Sequence, residues 1–213
     1  MRVEPAPRPF AIAIAYSRLP LPMTRADQMT VAHLISFLAA RGHAIDFYAL
    51  DNGEEISAEH RAWIGDVCRS VHIFPHGPVR RVMGALGGLL RGLPLQVGWF
   101  SNRAQTRAVR AGLGSADIGY SYYIRSAETM RGLGRSRRRA EGPVTFLAMQ
   151  LSQALNTRRM AQHYRNLKEK LLYAVETRLV QNYEPRVWAD FTRTVLIGQQ
   201  DVDEIASACR DRG

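Results

Sequence analysis

Residues 10–16, FAIAIAY, form an apolar run that constrains the fold more than any other segment. The run has no helical spacing, follows three prolines, and leads into the proline-containing stretch SRLPLPMT. A strand that is apolar at every successive residue must be covered on both faces, as in a parallel sheet with helices on each side. The segment therefore predicts a buried strand of an α/β protein.

Apolar runs and helical patterns alternate along the rest of the chain. Further strands are expected at residues 43–50, 71–77, 116–123 and 144–151, and in the stretch TRTVLIGQQDVDEIA. Alternating units of this kind form a parallel sheet with right-handed crossovers. No linker divides the sequence, so we expect residues 1–213 to form one domain with a Rossmann-like, doubly wound parallel sheet.

Two helices carry specific expectations. Thr24 is predicted to be the N-cap of the first helix, with Asp27 as a capping carboxylate three residues later. Further along, apolar residues recur every three or four positions from residue 156 to Tyr183. This spacing predicts one long helix that Pro185 ends or kinks.

The chain is basic, with 29 Lys and Arg against 19 Asp and Glu, and Lys168 and Lys170 are its only lysines. Such an arginine excess is typical of proteins with phosphate-bearing or membrane partners, and also of a coding bias toward arginine. Cys68 and Cys209 are far apart, which favours a reducing cytoplasm over a disulfide framework. No apolar run reaches a membrane-spanning length, and the N-terminal run is too short for a secretory signal.

Common catalytic and cofactor motifs are missing from the sequence. The turn after the first strand, SRLPLPMTRADQ, has no glycine, which excludes the GxGxxG fingerprint there. There is no Walker lysine motif, GxSxG or HExxH. His72 and His76 come closest to metal spacing, but VHIFPHG is more typical of a strand end, so no metal site is expected. Ligands of open α/β sheets bind at the carboxyl ends of the strands.

The order of three stretches resembles a known family. They are YSRLPLP with HLISFLAARGHAIDFYAL, then GLPLQVGWFSNRAQTRAVRA, then MQLSQALNTRRM with KEKLLYAVETRLVQNYEPRVWADFTRTVLIGQQDVDEI. Over nearly the whole chain they resemble the N-terminal half of GT-B glycosyltransferases of the retaining family 4 type. The likeness is greatest to bacterial sugar transferases that build exopolysaccharide or other lipid-linked glycans. Its markers are the RGH turn at 41–43, the GLPL turn at 92–95, and the Tyr183-Glu184 pair ahead of a QQD loop.

The resemblance implies that this half binds the acceptor, while a second Rossmann-like domain binds the nucleotide-sugar donor. No cofactor is expected in this half, and alone it should not turn over, because transfer needs donor and acceptor held together across the interdomain cleft. Two departures from the family leave the catalytic residues unassigned. Ala26 and Thr30 stand where relatives often carry glycine and arginine, and an acidic or histidine residue common near the fourth or fifth strand end is lacking.

The resemblance implies acceptor contacts by hydroxyl, amide and guanidinium groups at the strand ends. The candidate residues are Pro22, Asp27, Tyr122, Tyr123, Arg125, Gln150, Ser152, Asn156 and Arg158. Four of them have a structural alternative: helix capping for Asp27, strand packing for Tyr122 and Tyr123, and a solvated helix face for Arg158.

Residues 77–100, GPVRRVMGALGGLLRGLPLQVGWF, combine arginines with a glycine-broken apolar pattern. For an enzyme acting on a glycan or polyprenyl-diphosphate-linked acceptor, this stretch predicts docking to an anionic membrane, peripherally on the inner face of the cell membrane. The predicted docking residues are Arg80, Arg81, Leu86, Leu89, Leu90, Arg91 and Leu93. The alternative is an ordinary helix packed on the sheet, or a patch buried against a partner.

A second hypothesis is a non-catalytic basic module that binds nucleic acid or an anionic membrane. The stretch RGLGRSRRRAEG contains Arg135, Arg137, Arg138 and Arg139. Single-stranded nucleic acid sites interleave aromatic and basic side chains, and this cluster has no adjacent aromatic residue. Nucleic acid is therefore the less favoured partner.

Overall fold

A computed structural model of the chain describes residues 8–133, 142–163 and 166–210. Its strands are β1 (Ala11–Tyr16), β2 (Ala44–Asp51), β3 (Ser70–Pro75), β4 (Ile118–Tyr122), β5 (Val144–Gln150) and β6 (Arg193–Leu196). They form one six-stranded sheet in the order β3-β2-β1-β4-β5-β6, and every neighbouring pair is parallel. The predicted Rossmann-like, doubly wound fold class is confirmed, and the first five strands lie within two residues of their predicted bounds.

The helices of the described residues follow the strands in sequence, and the last one comes after β6. They are α1 (Ala26–Ala40), α2 (Ala58–Val67), α3 (Pro78–Leu89), α4 (Leu95–Trp99), α5 (Arg103–Gly112), α6 (Gln153–His163), α7 (Leu167–Asp190) and α8 (Gln199–Arg210). Two short 3₁₀ helices, Leu113–Ser115 and Ile124–Thr129, flank β4.

Successive residues of β1 point into two different cores, which explains why this strand is apolar throughout. Ala13 and Ala15 belong to a cluster with residues of α4, α5, α7 and α8. Ile12 and Ile14 belong to a second cluster with residues of α1 and α2. Because side chains alternate between the faces of a strand, helices on both faces require apolar residues at every position.

Two helix predictions were wrong. The N-cap of α1 is Arg25, which makes no side-chain capping bond, and Thr24 Oγ1 instead donates to Gln28 Oε1 at 3.1 Å. The predicted long helix consists of α6 and α7, and α7 continues past Pro185 to Asp190. Apolar spacing alone cannot locate a break between two helices that both present apolar residues.

Some predicted features fall outside the described residues: Arg135, Arg137, Arg138 and Arg139, and Tyr164 in the apolar spacing of the predicted long helix. Among the helices of the described ranges, none is long and apolar enough to cross a bilayer.

Candidate functional site

The strand order reverses between β1 and β4, and ligands of such sheets bind outside the carboxyl ends of these two strands. Buried Gln105 of α5 holds this edge together, since its Nε2 donates to the carbonyls of Tyr16 (2.9 Å) and Tyr48 (3.1 Å). Five residues from separate segments meet here, and we call them the switch-point cluster: Arg18, Asp27, Glu54, Phe100 and Arg125.

Arg18 follows β1 and is only 8% exposed. Its Nε lies 3.4 Å from Asp27 Oδ2, and its Nη1 lies 3.6 Å from Glu54 Oε1. These distances are longer than those of a hydrogen-bonded arginine–carboxylate pair. The buried Nε donates no hydrogen bond to any residue of the described ranges. Arg18 is therefore a buried cation whose hydrogen bonds are not all made.

Arg125 also lies against the Phe100 ring. The guanidinium carbons of Arg18 and Arg125 are 5.6 and 5.0 Å from the centroid of this ring, and that of Arg125 is also 4.9 Å from the ring centroid of Tyr123. Within the part of the chain that the structure describes, no carboxylate lies within 4 Å of Arg125. Burial lowers the pKa of Arg125, and the positive charge of Arg18 contributes in the same direction.

Tyr123 connects the cluster to the next strand. Its backbone has φ 66° and ψ 152°, a conformation that residues other than glycine rarely adopt. Such conformations are enriched at functional sites. The Tyr123 hydroxyl accepts a hydrogen bond from Gln153 Nε2. Gln153 Oε1 accepts from Gln96 Nε2 at 3.4 Å, and Gln96 Oε1 accepts from Arg125 Nε at 3.4 Å. A row of phenol, amide and guanidinium groups therefore lines the carboxyl ends of β4 and β5.

Two buried glutamates of α7 hold the helices that begin at this edge. Glu176 accepts from the backbone N–H groups of Leu95 (2.6 Å) and Gln96 (3.2 Å), at the N-terminus of α4. Glu184 accepts from Ser152 Oγ at 3.0 Å and from the Gln153 N–H, at the N-terminus of α6. A carboxylate at a helix N-terminus satisfies free N–H groups and complements the helix dipole. Burial nevertheless raises the pKa of Glu176, and it raises that of Glu184 to about 7.

Three of the predicted acceptor residues meet at the switch point: Asp27, Tyr123 and Arg125. The carboxylate of Asp27 faces Arg18, and Pro22 lies half-buried in the loop between β1 and α1. Tyr122 is 2% exposed and packs edge-on against Tyr16 at 5.4 Å, so it is a core residue and its predicted ligand contact was wrong.

The other predicted acceptor residues follow β5. Ser152 is fully buried and bonded to Glu184, so in this conformation it positions the turn and cannot touch a ligand. Gln150 ends β5 with φ 71° and is half-buried. Asn156 and Arg158 lie on the exposed side of α6, and Arg158 pairs with Glu204 of α8. Arg158 therefore does not belong to the switch-point cluster.

The predicted membrane-docking stretch contains α3, which packs against α4 through glycines. A Cβ on Gly88 would lie 2.8 Å from Gly98 Cα, and one on Gly84 would lie 2.4 Å from the Gly98 carbonyl oxygen. Small residues therefore form the buried side of α3, and large apolar residues stay exposed. We call this exposed set the α3 apolar face: Val79, Val82, Met83, Leu86, Leu89 and Leu90.

Leu90 is 91% exposed, but Leu93 is 4% exposed and belongs to the core, so the docking role predicted for Leu93 was wrong. The turn at Gly92, with φ 67°, carries the chain back so that Leu93 packs beneath Gly88. Arg81 is half-buried and donates to the carbonyls of His76 and Asn52, which ties α3 to the sheet edge. Arg80 and Arg91 are exposed, and each donates one hydrogen bond to a backbone carbonyl.

The opposite edge of the sheet offers a poorer site. A surface groove there runs between residues 113–118 and 142–146 and is lined mainly by apolar groups. Its one ionisable side chain, Asp117, is already bonded to Arg8 (3.0 Å) and to the N–H of Ala11 (2.9 Å). Within residues 8–133, 142–163 and 166–210, no group of three His, Cys, Asp or Glu side chains is placed to hold a metal ion.

Comparison of the chain with protein-family models, with curated proteins and with solved structures finds no match. Sequence reasoning missed Arg18, Glu54, Phe100 and Gln96 as site residues. The signal that could have found Arg18 is its position directly after the first buried strand, at the carboxyl edge where ligands bind.

Proposed function

We propose that the chain is the acceptor-binding domain of a glycosyltransferase that moves a hexose from a nucleotide-sugar to a lipid-linked or polysaccharide acceptor. The observation that carries this proposal is the switch-point cluster with its neighbouring amides. Guanidinium groups suit phosphate, while carboxylate, phenol and amide groups suit sugar hydroxyls. The resemblance to the acceptor half of GT-B enzymes supports the same assignment.

The chemistry at the switch point fits acceptor binding better than catalysis. Asp27 and Glu54 both lie within ion-pair distance of Arg18, so both carboxylates are engaged with a cation rather than free to act as a general base. The donor and the groups that assist transfer would come from a second domain, closing over the carboxyl edge to bring both reactants to near-attack distance. By this proposal, the chain alone binds acceptor without transferring sugar.

The α3 apolar face supports a peripheral position on an anionic membrane. Large apolar side chains project from one side of a helix, with Arg80 and Arg91 beside them. A helix of this kind lies in the interface plane, with its apolar face among the acyl chains and its arginines at the headgroups. A lipid-linked acceptor would then meet the switch-point cluster from the membrane surface.

Vesicle flotation tests the membrane part. The chain is expected to float with vesicles containing anionic phospholipid, and less with neutral vesicles. Leu90→Asp should weaken flotation by about tenfold, because a charge in the acyl region costs more than the leucine burial gains. Ile197→Asp is the matched control, since Ile197 is a 79% exposed apolar side chain that follows β6, away from α3. Equal flotation of both variants and the unchanged chain would contradict docking through α3.

Equilibrium binding tests the acceptor part. A short-chain prenyl-diphosphate-linked monosaccharide should bind saturably to the chain and more tightly than the same prenyl diphosphate without the sugar. No saturable binding, or preferential binding of single-stranded nucleic acid, would overturn the assignment in favour of the basic module.

A further inference from the structure

We propose that Arg18 and Arg125 form an anion site at the switch point that takes a phosphate or diphosphate group. The inference rests on the proposed function for its role in acceptor recognition, and it names the substrate class as a phosphate-bearing acceptor. The anion site itself depends only on the side chains of the cluster.

The first evidence is that buried donors of Arg18 and Ser17 lack hydrogen-bond partners among the described residues. A guanidinium carries five N–H donors, and buried polar groups are nearly always bonded. Arg18 is 8% exposed, yet its buried Nε donates to no described residue. Ser17, the preceding residue, is 2% exposed, and its hydroxyl also lacks a partner among the described residues. Two adjacent residues thus keep donors at the carboxyl end of β1 that a ligand with acceptor oxygens would satisfy.

The charge on Arg125 is the second evidence. Arg125 has one long hydrogen bond to Gln96 at 3.4 Å and no described carboxylate within 4 Å. It shares the Phe100 ring with Arg18, so two partly buried cations are held at one aromatic side chain. Contact with a ring stabilises a guanidinium but accepts none of its in-plane N–H groups. A phosphate can accept from both guanidinium groups and remove their mutual repulsion.

The carboxylates of the cluster define how the anion would enter. Gln28 Nε2 donates to Glu54 at 2.9 Å, which keeps Glu54 in place beside Arg18. Asp27 makes a long ion pair with Arg18 Nε, at 3.4 Å. An incoming phosphate would take the place of Asp27 on this edge of the guanidinium. Asp27 therefore competes with the anion, and removing its charge is expected to strengthen anion binding.

Titration calorimetry of the full chain with inorganic pyrophosphate at low ionic strength tests the site. We expect saturable binding at one site, weakened about tenfold or more in Arg125→Gln by the loss of a charge-assisted contact. Arg107→Gln, on the exposed side of α5, is the matched control and should bind like the unchanged chain. Asp27→Asn should bind several-fold more tightly. Circular dichroism melting of each variant reports whether it remains folded, and Arg125→Lys, which keeps the charge, should recover part of the affinity.

Three outcomes would overturn the anion site: no saturable pyrophosphate binding, equal loss in Arg125→Gln and Arg107→Gln, or weaker binding in Asp27→Asn. Geranyl diphosphate serves as a second probe, and tighter binding than pyrophosphate would identify a lipid diphosphate as the source of the anion. If the prenyl-diphosphate-linked sugar binds and Arg125→Gln leaves that binding unchanged, the anion site fails and the proposed function stands. If pyrophosphate binds as expected and the sugar adds no affinity over prenyl diphosphate, the anion site stands and the proposed function fails.

Discussion

Replacing Gly88 by alanine tests whether α3 packs on α4 through its glycines. A Cβ at this position would lie 2.8 Å from Gly98 Cα and 3.5 Å from Gly98 N, so backbone would have to move. Overpacking of this kind typically costs about 1–3 kcal/mol. Gly87, the preceding residue of the same helix, has nothing within 4 Å of a Cβ, and alanine there should stabilise the helix by about 0.5–1 kcal/mol.

Both substitutions make the same gain in helix propensity, so the difference between them isolates the clash with α4. Urea unfolding followed by circular dichroism should place Gly88→Ala below Gly87→Ala in free energy of unfolding by about 1–3 kcal/mol. If the two variants are equally stable, α3 does not pack on α4 through its glycines. The glycine side would then not be the buried side of α3, and its large apolar residues would not have to face outward.

Three further predictions concern buried polar groups of the sheet and of the helices packed on it. The pKa of Glu184 is raised to about 7 from 4.5, so the folded state binds more protons than the unfolded state between these pH values. The free energy of unfolding should therefore fall by about 3 kcal/mol as pH rises through this window. Glu184→Gln should remove most of this pH dependence, whereas Glu59→Gln, at an exposed position, should keep it. Gln105→Leu should lower the free energy of unfolding by about 1–3 kcal/mol, because two strand-end carbonyls lose their donor, and an unchanged urea midpoint would contradict this role. Burial raises the pKa of Asp46, but hydrogen bonds from Arg69 and Ser70 outweigh it, and the pKa is lowered on balance. Asp46→Asn should therefore destabilise the protein at neutral pH. The difference in free energy of unfolding should disappear as pH falls below about 4, where the carboxyl of the unchanged protein takes up a proton.

The strands could be predicted from sequence because buried parallel strands are short, continuous apolar runs between turns. β1 shows the reason most clearly, since Ala13 and Ile14 face separate cores on opposite sides of the sheet. Helix ends were less predictable. The Thr24 hydroxyl donates to the Gln28 side chain, and Arg25 is the N-cap of α1. Whether Thr24 makes this bond depends on where the fold places Gln28.

The site was only partly predictable because its residues come from distant segments. Asp27 and Arg125 lie at helix and strand ends, where the sequence predicts ligand contacts. Arg18 and Phe100 gain their roles only when five separate segments meet in the fold. The same holds for Glu184, whose carboxylate caps a helix that begins 31 residues earlier in the chain. In the sequence, the glycines of α3 interrupt an amphipathic pattern. Only the fold shows that these glycines form the surface through which α3 packs on α4.

A crystal structure of the chain with a short-chain prenyl-diphosphate-linked monosaccharide measures directly where the acceptor binds. We expect the diphosphate within hydrogen-bond distance of Arg18 and Arg125, at the carboxyl ends of β1 and β4, with the prenyl group directed toward the α3 apolar face. A ligand bound at the opposite edge, in the groove between residues 113–118 and 142–146, would contradict it.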